Sequence, residues 1–206
     1  MSKFNKIFFY PSSLVLILVN LIPLLGVLFF SWDIFTVIIL YWMESAVIGF
    51  FNILKMQKIN NYKFTPLVPF FIMHYVIFMF VHLFFILQLF QPNLELASGQ
   101  VAAFVIVFEY FKALIISLSF IFLSHGMSFV FNFIKKQEFK YVSLKKQMFV
   151  PYRRIIIMHI IIMLAGAGII YTNYSQEVSA VVFLVILKII FDLGSHIFEH
   201  RKNILN

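Results

Sequence analysis

Glu44, His74, His125, His159, Asp192 and His196 are the side chains of this sequence best suited to chemistry, and all six stand within long apolar runs. A titratable group at bilayer depth costs roughly 2.5–3.5 kcal/mol on insertion scales, so each one asks for a reason. Asp192 and His196 lie one helical turn apart and suit a single metal ion, with His74, His125 and His159 completing the shell from other helices. Imidazole plus carboxylate without thiolate is a ligand set for a divalent transition metal: Zn, Fe, Mn or Cu. Glu44 is then the candidate general acid/base beside metal-activated water. Haem, held by paired histidines from facing helices, is the less favoured variant.

Plainer chemistry competes for the same residues. Lys188 and Asp192, at i and i+4, can neutralise one another. Glu109 and Lys112 read as a local ion pair, His82 as a cross-helix hydrogen-bonding residue, and His200, between Glu199 and Arg201, as an interfacial one. The whole set is also open to the reading of a polar network that only fixes helix packing.

The elements that must position these groups follow from composition. Of 206 residues, 63% are hydrophobic and 12% charged, and the mean hydropathy is +0.99. That length holds about six spans of ~20 residues with short connections and leaves no room for a soluble domain. Apolar runs place the spans near 11–30, 34–54, 66–90, 101–134, 155–172 and 179–198. The expectation is an all-α membrane protein, a six-transmembrane-helix bundle forming a single domain over 1–206. The run from Ser12 to Phe30 is too long for a signal-peptide h-region and is read as a retained first span. Pro23 should kink that span, while Pro11, Pro66, Pro69, Pro92 and Pro151 fall at or near span ends. The fourth run exceeds a ~30 Å hydrocarbon core at 1.5 Å per residue, so it must tilt, protrude or break, with Gly126 as the candidate break.

Charge sets the orientation. Of the sixteen Lys and Arg, all but Lys112 and Lys188 fall on one side of this arrangement, whereas the other side carries Asp33, Glu95 and Glu177. The positive-inside rule then puts the N- and C-termini in the cytoplasm, in a multi-pass protein of the cell (inner, cytoplasmic) membrane. The formal charge of +8 resides in short loops between apolar runs, a pattern that speaks for membrane lipid and against nucleic acid. Anionic headgroups are expected at the 135–154 loop, where basic residues alternate with Phe139, Tyr141, Met148 and Phe149. No cysteine is present, which excludes disulfides, thiolate metal sites and a thiol nucleophile. In this topology most of the candidate ligands lie within ~15 Å of the cytoplasmic face, with Glu44 near mid-membrane and His82 toward the outer half. All six site residues are expected to face the bundle interior, since lipid cannot satisfy them. Ala165-Gly166-Ala167-Gly168 reads as a small-residue packing face.

Several of these residues stand in recurrent strings. Tyr41-Trp42-Met43-Glu44 with Asn52 and Lys55, His74-Tyr75 with His82, and Ser124-His125-Gly126 with Ser128, Phe129 and Asn132 form three of them. Pro151-Tyr152-Arg153-Arg154 with His159, and Lys188 with Asp192 and His196, form two more. Together they resemble the second to sixth spans of a prokaryotic integral-membrane family, domain of unknown function 6498. Val76 and Leu83 stand where that family's third span carries glycines. The resemblance implies the fold and the motif positions and carries no activity with it.

Three functions are compatible with this sequence. One is an intramembrane metal-binding protein, with a metal-dependent membrane enzyme as its catalytic form. Another is a proton-coupled carrier or channel in which Glu44, Asp192 and the histidines form a relay. The third is a non-catalytic membrane partner subunit with a structural polar core.

Overall fold

A computed structural model describes residues 11–90 and 99–172, together with 182, 185–188 and 190. Among these every regular element is helical. Helix α1, Pro11–Phe30, carries Pro23 in its interior. It stops at Ser31, whose φ of 53° is left-handed, and the Trp32 N–H returns to the Gly26 carbonyl at 3.1 Å. The Trp32 indole then fills the space that a Cβ on Gly26 would need.

Helix α2, Ile34–Ile59, is started by Asp33, whose carboxylate accepts the Thr36 N–H at 2.8 Å and the Thr36 hydroxyl at 2.5 Å. Its end is a Schellman motif. Asn61 turns left-handed with φ 51°, and the Tyr62 and Asn61 N–H groups reach back to the Gln57 and Lys58 carbonyls at 2.8 and 3.1 Å. Helices α3 (Leu67–Phe90), α4 (Gly99–Ala113) and α5 (Ile115–Ser128) follow. The chain then widens into a π-helical segment, Phe129–Lys135, passes a 3₁₀ turn at Glu138–Lys140 and enters α6, Leu144–Thr172.

Helix α2 is the centre of the bundle, packed against α6, α3 and α5. Of its most apolar eighteen residues 67% are buried, against 11% for the stretch Ile115–Lys135. Phe35, Ile38, Ile39, Leu40 and Met56 are fully enclosed. The outward faces of the other helices are apolar as well, carrying Phe80, Phe84, Phe85, Phe120, Ile156 and Met163 among their exposed side chains. An apolar exterior over hydrogen-bonded helices is the form that hydrocarbon accepts.

Four helices among the described residues are long and apolar enough to cross a membrane: Ile34–Ile59, Leu67–Phe90, Ile115–Lys135 and Leu144–Leu164. Six were expected. The first expected span does form a helix, of which Leu21–Phe30 counts as a shorter apolar one. The sixth, 179–198, lies mostly outside the described residues. The fourth run divides at Leu114 and not at Gly126. The division is slight, because the Leu114 N–H still reaches the Tyr110 carbonyl and the Leu118 N–H that of Leu114, both at 2.9 Å. Gly126 stays helical with Phe51 close against it, where a Cβ would meet the ring at 3.4 Å. The loop expected over 135–154 is half helix: α6 begins at Leu144, leaving Pro151 inside the helix rather than at its end.

Close helix approach comes from single glycines. A Cβ on Gly49 of α2 would overlap the Tyr75 ring of α3, and one on Gly166 of α6 would meet the Leu89 side chain at 3.0 Å. Gly166 thus serves the packing role expected for the Ala165–Gly168 segment. On the α2–α3 contact the missing side chain belongs to α2, so Val76 and Leu83 on α3 do not prevent it.

Candidate functional site

Glu44 sits about three turns into α2, on the face that turns into the bundle, and is 5% exposed. Its Oε2 accepts a hydrogen bond from Lys188 Nζ at 2.7 Å, across 144 residues of sequence. Lys188 is itself buried, 7% exposed, with its ammonium 4.4 Å from the centre of the Tyr41 ring. The other carboxylate oxygen, Oε1, faces Arg154 Nη1 at 3.8 Å and His125 Nε2 at 3.9 Å. Four elements therefore converge on one carboxylate: α2, α5, α6 and the helical residues 185–188. Beyond 3.5 Å these last two contacts are electrostatic rather than hydrogen bonds. Beside them lies a cavity of about 30 Å³, lined by Glu44, Ser45, Arg154 and Lys188 with Tyr41, Met158 and Ile161. That is room for a water with polar groups to bind it.

Local geometry explains why these groups point inward. On α6 the buried face is drawn by Ile155, Met158, Ile161 and Ile162, and Arg154 shares it at i+4 and i+7. Ser45, next to Glu44, keeps its hydroxyl on the Tyr41 carbonyl at 3.0 Å and against Met158 Sδ at 3.5 Å. The Ser45 carbonyl in turn accepts from Tyr75 Oη at 2.8 Å.

A second polar layer lies toward the loop end of α2. Gln147 of α6 donates to Asn52 Oδ1 at 2.7 Å, and both side chains are buried. Asn132, turned inward by the π-helical widening, accepts from Lys136 Nζ at 2.8 Å. This layer ties α2 to α6 just below the charged one.

The histidines expected to share a metal are held apart. His74 Nδ1 meets Tyr152 Oη at 2.6 Å and stacks on Phe70. His125 stands beside Glu44. His159 is exposed, at the edge of α6 next to Ile156, Ile160 and Met163, and packs its ring on His82 and Phe85. The expectation that all six site residues face the interior therefore fails at His159, because the 3.6-residue period that buries Met158 turns its neighbour outward. Among the described residues no three His, Asp or Glu side chains converge as a metal-ligating group. Asp192 and His196, and so the expected pairing of Lys188 with Asp192, lie outside those residues. Glu109 and Lys112 do form the expected local pair, at 2.6 Å and well exposed.

Two members of this site escaped the reading of the sequence. Arg154 reads there as a topology charge within the Pro151–Arg154 string, and Lys188 as a partner of Asp192 on its own helix; neither is read as facing Glu44. A signal for Arg154 existed in its register with Met158 and Ile161. None existed for the Glu44–Lys188 pair beyond the need of a carboxylate within a long apolar run for a cation.

Residues 6–205 match the family of unknown function DUF6498, and the chain belongs to that family. No curated protein and no solved structure matches it.

Proposed function

We propose that this member of the DUF6498 family is a proton-coupled carrier or channel in which Glu44 takes up and releases the transported proton. The observation that carries this reading is the 2.7 Å contact between Lys188 Nζ and Glu44 Oε2, both buried among membrane-length helices. An ion pair in such a place is no more stable than well-packed apolar residues and is costly to insert, which argues for a use beyond packing. Protonating Glu44 would open its ion pair with Lys188 and cancel the one negative charge among the described groups that faces Lys188 and Arg154. The Lys188 and Arg154 cations then repel, and α6 and the helical residues 185–188 are pushed apart at that level. Carriers need such a link between protonation and helix position. The cavity beside Arg154 supplies a place for a water on the proton's route.

A divalent-metal site on His74, His125, His159, Asp192 and His196 is the weaker reading. Three of its members are separated, and the cations around Glu44 oppose a further positive charge nearby. A non-catalytic partner subunit is the remaining one. Purified protein in liposomes containing a pH-sensitive dye distinguishes them. With a potassium diffusion potential imposed, the wild type should acidify the lumen faster than empty vesicles, and Glu44→Gln should bring the rate back to theirs. Lys188→Arg, which keeps the charge, should retain part of the flux and checks that loss is not misfolding. Wild-type flux equal to that of empty liposomes would overturn the proposal, and stoichiometric metal in the same preparation would revive the metal reading.

This reading includes six spans with both termini cytoplasmic, in the cytoplasmic membrane, and anionic lipid at the 135–154 loop. Support comes from the exposed Lys135, Lys136, Lys140, Lys145 and Lys146 beside the 86%-exposed Tyr141 and 54%-exposed Phe149. Cysteines introduced at Ser98 and Asn173 should react with an impermeant maleimide in intact cells, whereas one at Asn61 should react only after lysis. Labelling at Asn61 without lysis would reverse the orientation.

A further inference from the structure

We infer that His82 and His159, with Met163, form a copper(I) site where α3 packs on α6, separate from the Glu44 centre. His82 is 4% exposed. Its Nδ1 lies 2.8 Å from the Phe78 carbonyl, which can only accept, so Nδ1 carries the ring proton and Nε2 keeps a bare lone pair. That Nε2 is buried and has no hydrogen-bond partner among the described residues. A metal-binding histidine has this arrangement: the far nitrogen is fixed on a backbone carbonyl, and the near one is presented as a donor pair.

The ring of His159 stands across the helix contact, its centre 5.2 Å from that of His82 and its plane turned by 82°. Two imidazoles bound to one tetrahedral ion through nitrogens at about 2.0–2.1 Å hold their ring centres about 5 Å apart. An organic headgroup does not fit between rings so close, whereas a single ion does. Met163 follows His159 by one turn on the same exposed face of α6. Its thioether is a soft third ligand.

The choice of metal follows from charge and softness. Two neutral imidazoles and a thioether bring no negative charge, and the surrounding rings, Phe78 and Phe85, are apolar. A monovalent soft ion leaves one positive charge in this setting, and a divalent ion would leave two. Thioether and imidazole together select copper(I) over zinc or magnesium.

The test is a titration of the detergent-solubilised full chain with copper(I) under anaerobic conditions, against a colorimetric copper(I) chelator. Wild type should retain one equivalent. His159→Gln should weaken binding by at least about 10–100-fold, the loss seen when even an outer-shell partner of a metal is removed. His82→Ala should do the same, and Met163→Leu should weaken it less. His74→Gln, two turns away on α3 with its own partner Tyr152, should bind copper as the wild type does. X-ray absorption of the loaded wild type should show nitrogen and sulfur donors. Because His159 is exposed, its substitution leaves the core intact and keeps the test decisive if His82→Ala fails to fold. Wild type that yields all its copper to the chelator, or His159→Gln that keeps it, overturns the site. In that case the two rings simply pack edge to face. Proton flux through Glu44 is read in a different assay and stands or falls independently.

Discussion

Glu44→Leu, made alone, is expected to cost the folded bundle about 3–5 kcal/mol, because it takes from the Lys188 ammonium its 2.7 Å carboxylate contact in a site 7% exposed to solvent. Lys188→Met should cost less. Glu44 would then retain Arg154 at 3.8 Å and His125 at 3.9 Å, within reach of closer contact after small side-chain movements. The informative variant is the double one, Glu44→Leu with Lys188→Met. Removing both charges takes from Arg154, whose side chain is 23% exposed, only its 3.8 Å contact with Glu44. Buried pairs replaced by apolar residues of similar volume are often neutral or stabilising, so the double variant should recover most of the loss. Unfolding by SDS titration in mixed micelles measures all three. A single Glu44→Leu within about 1 kcal/mol of wild type would mean that Lys188 finds water or another anion, and that the pair is not the charge centre described. Recovery of stability without recovery of proton flux would separate the packing role of the pair from its use.

The second large effect is expected at Gly49, where α2 and α3 touch. A Cβ there overlaps the Tyr75 ring, and that ring cannot swing aside freely. It is 6% exposed and its hydroxyl is bound to the Ser45 carbonyl at 2.8 Å. Gly49→Leu should therefore destabilise by about 1–3 kcal/mol, the usual cost of forcing a packed contact open. Ala46 is the control. It lies on the same helix and is exposed, along an apolar groove of about 310 Å³ lined also by Trp42, Phe50, Ile53, Phe71 and Met79. Ala46→Leu adds volume where space exists and should be close to neutral. Equal losses at the two positions would show that the α2–α3 spacing is not held by Gly49. The Trp42 indole, which donates to the Met79 carbonyl at 2.8 Å, offers a fluorescence signal from this same contact.

Much of the local structure follows from nearby residues. Asp33 and Thr36 start α2, and Asn61 and Tyr62 stop it with left-handed turns, all chemistry within five residues in the chain. The long apolar runs dictate helices of membrane length, because a spanning chain must satisfy its own backbone hydrogen bonds. Glu44, His74, His125, His82 and Lys188 stand out as groups that need partners, because hydrocarbon provides none. Against this, the break in the fourth run fell at Leu114, a buried residue with no turn chemistry of its own. Such a kink answers to the packing of neighbours and not to local propensity.

What the amino-acid sequence determined by itself is thus the class of the protein, the helix ends where capping residues act, and the list of polar groups in need of partners. Tertiary structure alone decided which partners they have. Lys188 turns to Glu44, 144 residues away. Arg154 joins them, although its place beside Arg153 in a basic stretch reads as a topology signal. His159 turns outward while Met158 beside it is buried. The physical reason is common to all three. In a water-soluble helix the polar face marks the outside, but a membrane helix is apolar on both faces, so hydropathy does not tell lipid from neighbour. Only the packing of α2 against α3, α5 and α6 breaks that symmetry, and with it decides which of the ionisable side chains meet.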